Sequence, residues 1–184
     1  MEKLYKTEKE GQIAFFDNYN VPWQENDGVL VENCDGVYNG VLFEFKLNIN
    51  DLNKTLFQAI KYLSRMRVHG ESVPATILLV SLNNKTAYEY NSQDYFDEIH
   101  KIYTGAASKN NDGFCAKTKP EVFEYSKMLA SSKLKKIIKS TKTVEEMYMP
   151  VAIDENCVVG WAERYYREIP NASKGDFIGD NTEN

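Results

Sequence analysis

The sequence predicts an α/β fold, with a mixed central sheet flanked by helices and a mainly helical C-terminal part. Two observations predict it: short β-rich runs are bounded by turn residues, and amphipathic helical segments lie between and after them. The 184 residues, of which 42% are hydrophobic, suit one folded domain of ordinary size. We expect a core over residues 1–92, a mainly helical part over 93–170 packed on that core, and a polar, linker-like tail over 171–184.

The first elements are a helix and a hairpin. Thr7 and Glu10 form a capping-box pattern, which predicts a helix from Thr7 to Asn18. Two β-rich runs, GVLVENCDGVY and VLFEFKL, follow and are joined by Asn39-Gly40. This dipeptide is the strongest short-range signal for a two-residue hairpin turn.

The remaining elements follow from apolar periodicity and turn residues. We predict an amphipathic helix from Asn50 or Asp51 to Val68 that Gly70 ends, a central strand over Ala75–Leu82, a strand at TAYEY, and helices at YFDEIHKIY, from Glu121 to about Lys139, and around Trp161–Arg167.

The composition argues against several classes of protein. No run approaches the roughly 18 apolar residues of a membrane span, and the N-terminal residues include no apolar signal core, so we expect a cytoplasmic protein without membrane contact. Two isolated histidines and three widely spaced cysteines fit neither a zinc site nor a disulfide framework. Any metal would therefore need oxygen ligands. The net charge of −5 also weakens binding of DNA by this chain alone.

The hairpin places two acids opposite each other. With Asn39 and Gly40 as the loop residues, Gly36 faces Phe43 and Asp35 faces Glu44. Like charges in such a cross-strand pair repel each other and destabilise the sheet. Something must offset the repulsion.

A lysine shares the face of these acids. Side chains alternate along a strand, so Lys46 lies on the same side as Asp35 and Glu44, while Phe43 and Phe45 belong to a wholly apolar opposite face. A divalent cation would relieve the repulsion, and Mg²⁺ commonly uses one or two carboxylates with waters and substrate phosphate. The alternative is a surface hairpin whose polar residues face water.

The run DGVYNGVLFEFK resembles the PD-(D/E)XK nuclease motif, which has an acid on one strand and Glu-x-Lys on the next. Asp35, Glu44 and Lys46 fill its three positions, although Cys34 stands where the motif has proline. The resemblance covers about residues 7–90. It implies a restriction-endonuclease-like core of α-β-β-β-α-β order.

Two further features are similar to the RecB-like branch of that family. Gln58 and Tyr62 match its Q-x-x-x-Y motif, whose residues help to place the DNA strand. The first helix carries Glu8 and Glu10, where the family often has an additional metal-binding acid. The alternatives are a solvated amide with a half-buried tyrosine, and a glutamate that serves only the capping box.

The activity that the resemblance implies is Mg²⁺-dependent hydrolysis of DNA, with Mn²⁺ as a substitute. Asp35, Glu44 and the main-chain carbonyl of Phe45 would bind the metal, with Glu10 or Glu8 completing its shell. Lys46 would orient or deprotonate the attacking water. The lysines at 127, 133, 135, 136, 139 and 142 form a basic cluster that either contacts DNA phosphates or is a solvated helix face.

The acidic charge and the linker-like C-terminus suggest a cleavage module within a longer restriction-modification polypeptide of type I or type IIG. Methyltransferase and target-recognition parts, in the same polypeptide or complex, would then be its partners. Two alternatives stay open: a stand-alone DNA repair nuclease or Holliday-junction resolvase, and a non-catalytic binding module of the same fold.

Overall fold

The computed structural model describes residues 3–23, 36–102, 113–152, 154 and 157. These residues form an α/β fold around a five-stranded mixed sheet with the strand order β1-β2-β3-β4-β5. The elements along the chain are α1 (Glu8–Asn18), β1 (Gly36–Tyr38), β2 (Val41–Lys46), α2 (Leu52–Val68), β3 (Thr76–Ser81), β4 (Thr86–Asn91), a 3₁₀ turn (Ser92–Tyr95), α3 (Phe96–Lys101), β5 (Glu121–Glu124), α4 (Met128–Lys139) and α5 (Val144–Met147).

The β1–β2 hairpin has the predicted turn and the predicted register. Asn39 and Gly40 have φ angles of 51° and 75°, the left-handed pair that a two-residue type I′ turn requires. Tyr38 pairs with Val41 and Gly36 with Phe43. A side chain at Gly40 is also excluded by packing, because an added Cβ would lie 2.6 Å from the main-chain oxygen of Met147.

The next three strands build the centre of the sheet. β2 and β3 are parallel and are connected through α2, whereas β4 returns antiparallel to β3. β3 is the middle strand, with two strands of the sheet on each side, and its TILLVS sequence is almost wholly buried. The prediction of a central strand covered on both faces is therefore confirmed.

Each face of the sheet has its own core. Phe15 and Phe16 of α1 pack on Phe43 and Phe45 of β2, with ring centroids 5.2–6.1 Å apart. On the other face, apolar side chains of α2 pack on Leu42, Ile77 and Leu79. The alternation of β2 thus directs Val41 and the two phenylalanines toward α1, and Leu42, Glu44 and Lys46 toward α2.

The residues that cap α1 and α2 are those that the sequence indicated. The Thr7 hydroxyl accepts from the Glu10 main-chain N–H at 3.2 Å, and the Asp51 carboxylate accepts from the Lys54 N–H at 3.1 Å. Gly70, with φ of 74°, follows the last turn of α2 and provides its left-handed exit. Both predicted helices are confirmed.

The single helix predicted from Glu121 to about Lys139 is wrong over its first part. Glu121–Glu124 is the edge strand β5, paired antiparallel with β4, and the helix begins only at Met128. Pairing with the open edge of β4 and burial of Phe123 outweigh the helix-start signal of Pro120. The chain after residue 92 therefore contributes a strand to the sheet as well as helices.

Part of the predicted architecture lies outside the described residues. The described chain has two strands between α1 and α2, whereas the α-β-β-β-α-β order requires three, and residues 24–35 are not described. The helix predicted around Trp161–Arg167 and the tail at 171–184 also lie outside. Within the described ranges, no helix has both the length and the apolar character needed to cross a membrane.

Candidate active site

Strand β2 places a carboxylate and an ammonium group side by side on the sheet face that α2 covers. Glu44 and Lys46 alternate with the phenylalanines that face α1, so their side chains are on the opposite side. The Lys46 Nζ lies 3.7 Å from the Glu44 Oε1. Two of the three predicted catalytic residues therefore form one contact pair.

The two partners differ in their exposure. The Glu44 side chain is 11% exposed and that of Lys46 is 31% exposed. Withdrawing a carboxylate from water costs several kcal/mol, which its contacts within the protein must offset. A buried charge on a strand whose neighbours are apolar is thus expensive for the fold, which is a common property of functional sites.

Asp35, the third predicted catalytic residue, lies outside the described residues. The register of the hairpin is described as far as Gly36, which faces Phe43 as predicted. That Asp35 faces Glu44 stays a prediction.

The carbonyl of Phe45, predicted as a metal ligand, points away from β3. The carbonyl of Gly40 accepts from Thr76 N–H and that of Lys46 from Leu82 N–H, both on the β3 side. Successive carbonyls of a strand point to opposite sides, so that of Phe45 points to the edge along which β1 runs. The Phe45 carbonyl therefore points toward the side of β1, the strand that precedes β2.

Gln58 and Tyr62 lie on one flank of α2. Successive residues of a helix are separated by roughly 100°, so residues four apart share a flank. The other flank carries Phe57, whose ring lies 5.2 Å from that of Phe114, and Asn53, which accepts from the Ala116 N–H. Gln58 and Tyr62 are on the side away from these contacts.

The amide oxygen of Gln58 is an unusual group. Its Oε1 is buried and has no hydrogen-bond partner in the described part of the chain. A buried acceptor without a partner costs about 1–3 kcal/mol, and such a group is often retained for a ligand or an ordered water.

The predicted helix acids lie on α1, over the opposite face of the sheet. Glu10 forms an exposed ion pair with Lys3 at 3.1 Å, and hydrogen bonding to Lys3 holds the pKa of its carboxyl below the ordinary value. Glu8 is half-buried in the same turn. Neither is brought into a ligand group with Glu44, because the described residues contain no cluster of three His, Cys, Asp or Glu placed to hold a metal.

The donors at β2 fit a hard cation. One carboxylate and one carbonyl are present in the described residues, and both supply the oxygen atoms that Mg²⁺ prefers. Magnesium keeps several waters and needs only one or two protein carboxylates. The set is chemically suitable, and its second predicted carboxylate is Asp35.

Ser81 is a residue of this region that the sequence analysis missed. It is the register partner of Lys46 on β3 and is fully buried. Its Oγ accepts from the Ile49 N–H at 3.0 Å and from the Asn84 Nδ2 at 2.9 Å, so it fixes the chain that leaves β2 just after Lys46. A polar residue at the end of an otherwise apolar strand was the available signal.

Three lysines of the basic cluster make contacts within the protein. Lys127 pairs with Glu124, Lys139 donates to the Asn20 carbonyl, and Lys142 donates to the Asn39 carbonyl. α4, which carries most of these lysines, packs on the α1 side of the sheet through Leu134 and Ile138. It is therefore on the face opposite to Glu44 and Lys46.

Comparison of the chain with models of protein families, with curated proteins and with solved structures finds no match.

Proposed function

We propose that this chain is a Mg²⁺-dependent DNA endonuclease with a restriction-endonuclease-like core, in which Asp35, Glu44 and Lys46 are the catalytic residues. The observation that carries the proposal is the buried Glu44 beside Lys46, 3.7 Å apart on one face of β2. The Glu-x-Lys part of the nuclease motif places its two residues in this way, two positions apart on the second strand.

The residues divide the work of phosphodiester hydrolysis among them. Glu44, Asp35 and the carbonyl of Phe45 would hold Mg²⁺, which supplies charge neutralisation and a lowered pKa of the attacking water. The Lys46 ammonium orients that water and stabilises negative charge developing on the phosphate. Mn²⁺ is expected to substitute, since it prefers the same oxygen donors.

Gln58 and Tyr62 are proposed to position the DNA strand. The unpartnered Oε1 of Gln58 is available to accept a hydrogen bond from a base or from a bridging water. The half-buried ring of Tyr62, one turn further along α2, offers a surface against the nucleotide.

DNA binding is proposed to depend on partners. With a net charge of −5, phosphate neutralisation by this chain alone is weak, so its own affinity for DNA should be low. We therefore propose a cleavage module that acts with methyltransferase and target-recognition parts of a restriction-modification enzyme. High protein concentration and low salt should still permit cleavage without them.

The test is cleavage of supercoiled plasmid DNA at low salt with Mg²⁺. The wild type should nick or linearise the plasmid, and Lys46→Ala should slow the reaction by at least about 10²-fold. Lys54→Ala, which removes an exposed lysine at the start of α2, is the matched control and should cut as the parent does. A plasmid that stays supercoiled with the wild type, or equal cutting by Lys46→Ala, would overturn the proposal.

A further inference from the structure

Helix α2 is basic, although the chain as a whole is acidic. Between Leu52 and Val68 the sequence has four basic residues and no acidic one, whereas the net charge of the whole chain is −5. Arg67 is buried and pairs with Asp154. The other three basic residues of α2 are exposed or half-buried: Lys54, Lys61 and Arg65. The outward side of α2 is therefore a basic surface on an acidic chain.

Lys61 and Arg65 are neighbours on this outward side. Residues four apart in a helix have Cβ atoms about 5–6 Å apart. The ion pairs found within the described residues use neither of these two side chains. The Lys61 Nζ lies 5.7 Å from the centroid of the Phe57 ring, close to the outer limit of a cation–π contact, about 6 Å. Both charges can therefore bind an external anion.

Lys54, at the start of α2, is in a different environment. The carboxylate of Asp51, the residue that caps the helix, accepts from the Lys54 main-chain N–H at 3.1 Å. An acid three or four residues from a lysine on a helix interacts with it, so Asp51 offsets the charge of Lys54. No acidic residue of α2 lies at such a spacing from Lys61 or Arg65. The positive charge that no nearby acid of the helix offsets is therefore concentrated at these two residues.

α2 and the candidate active site are on the same side of the sheet. The apolar side chains of α2 pack on Leu42, Ile77 and Leu79, on the face that also carries Glu44 and Lys46. α4, which carries most of the lysines of the basic cluster, packs on the opposite face. A DNA strand that contacts α2 is thus on the side of Glu44 and Lys46, and a strand that contacts α4 is not.

The two basic residues form one patch with Gln58 and Tyr62. Positions 58, 61, 62 and 65 have the i, i+3, i+4, i+7 spacing of a continuous helix surface. The buried Oε1 of Gln58 has no hydrogen-bond partner in the described part of the chain, which indicates that a ligand or a water donates to it. An unsatisfied acceptor, an aromatic ring and two cations therefore lie together on α2.

We propose that Lys61 and Arg65 bind neighbouring phosphates of the DNA strand that Gln58 and Tyr62 contact. This proposal rests on the nuclease function proposed above, and it assigns the DNA contact of the chain to α2 rather than to the larger basic cluster around α4. An arginine binds a phosphate with two parallel N–H donors, and a lysine contributes a compact charge. The local positive charge draws the strand to this patch although the whole chain is acidic.

The experiment is fluorescence anisotropy of a labelled DNA duplex with the full chain, at several low salt concentrations and in EDTA, so that no metal-dependent cleavage occurs. The variant Lys61→Gln/Arg65→Gln should bind at least about tenfold more weakly than the parent. Each phosphate contact contributes about 0.9 to the slope of log K against log salt concentration, so the slope should become shallower by about 2. The matched control Lys133→Gln/Lys136→Gln, which removes two charges from exposed positions of α4, should keep the parent's affinity and slope.

Three results would overturn the proposal: a parent that does not bind the duplex, an α2 variant with the parent's affinity and slope, or an equal loss in the α4 variant. Lys61→Arg/Arg65→Lys, which keeps both charges, should retain the slope, and circular dichroism checks the fold of each variant. Plasmid cleavage by the wild type together with unchanged binding by the α2 variant would overturn this inference alone. Binding that depends on Lys61 and Arg65 without any cleavage would instead overturn the nuclease proposal.

Discussion

Replacing Glu44 and Lys46 together by methionine should make the protein more stable and abolish its cleavage of DNA. The Glu44 side chain is 11% exposed and that of Lys46 is 31% exposed. Exchange of a buried ion pair for apolar residues of similar volume often stabilises a protein by about 1–4 kcal/mol, because the cost of desolvation is removed. Since Lys46 remains partly hydrated, we expect a gain in the lower part of that range, about 1–2 kcal/mol.

The gain is measurable by thermal unfolding. For a chain of this size, 1 kcal/mol changes the Tm by roughly 2–4 °C, so the double variant should unfold about 2–8 °C above the wild type. Glu44→Met alone leaves the ammonium of Lys46 beside an apolar group and should be less stable than the double variant. Replacing both Lys3 and Glu10, an exposed pair, by glutamine should change the stability by less than about 0.5 kcal/mol.

A double variant that unfolds several degrees below the wild type would refute this reasoning. It would mean that Glu44 and Lys46 are retained because they stabilise the sheet, and the burial of Glu44 would then no longer indicate a function. Higher stability together with lost cleavage is the trade-off typical of an active site.

Three further predictions concern the fold. Gly40→Ala should lower the free energy of unfolding by more than about 2 kcal/mol, because the left-handed backbone disfavours alanine and the added Cβ would lie 2.6 Å from the Met147 oxygen. Urea unfolding measures this loss, and a change below about 0.5 kcal/mol would contradict the prediction. Arg67→Ala should lower the free energy of unfolding by about 3 kcal/mol, because the fully buried guanidinium donates to Asp154 at 2.9 Å and to the carbonyls of Ala152 and His100. The control Arg65→Ala, at an exposed position of the same helix, should be nearly neutral in the same assay. Glu89→Gln should raise the Tm at pH 7 but not at about pH 4. Burial raises the pKa of the Glu89 carboxyl in the folded state, so stability is lost as the pH rises from the ordinary value of 4.5 through the raised pKa. Equal Tm differences at both pH values would contradict this prediction.

The hairpin and α2 could be predicted because their signals are local. Asn39-Gly40 tolerates the two positive φ angles, and strand alternation then fixes which side chains share the face with Glu44. For α2, the apolar period and Asp51 at its start determine the buried stripe and the first turn. These elements need no knowledge of the rest of the chain.

β5 could not be predicted because its conformation depends on a distant partner. Glu121–Glu124 is only four residues long, and it pairs with an edge of β4 that is formed more than 30 residues earlier in the chain. The open groove beside Glu89 has the same origin, since β3, β4 and the chain after α4 meet only in the folded protein. Neither feature has a periodic signal in the sequence.

The position of the helix acids relative to the sheet could not be predicted for a different reason. The spacing of Thr7 and Glu10 predicts the cap correctly, but it contains no information about which face of the sheet α1 covers. The structure pairs Glu10 with Lys3 over the face of the phenylalanines. Its role as a metal ligand therefore stays a prediction.

The Mg²⁺ dependence of plasmid cleavage by the wild type and by Glu44→Gln tests the central claim most directly. We expect the wild-type rate to rise with Mg²⁺ to saturation and to be abolished by a chelator. Glu44→Gln, which keeps the shape of the buried side chain but removes its charge, should reduce the rate by at least about 10²-fold at every Mg²⁺ concentration. Cleavage that is independent of Mg²⁺, or equal rates for the two proteins, would contradict the assignment of Glu44 to the catalytic centre.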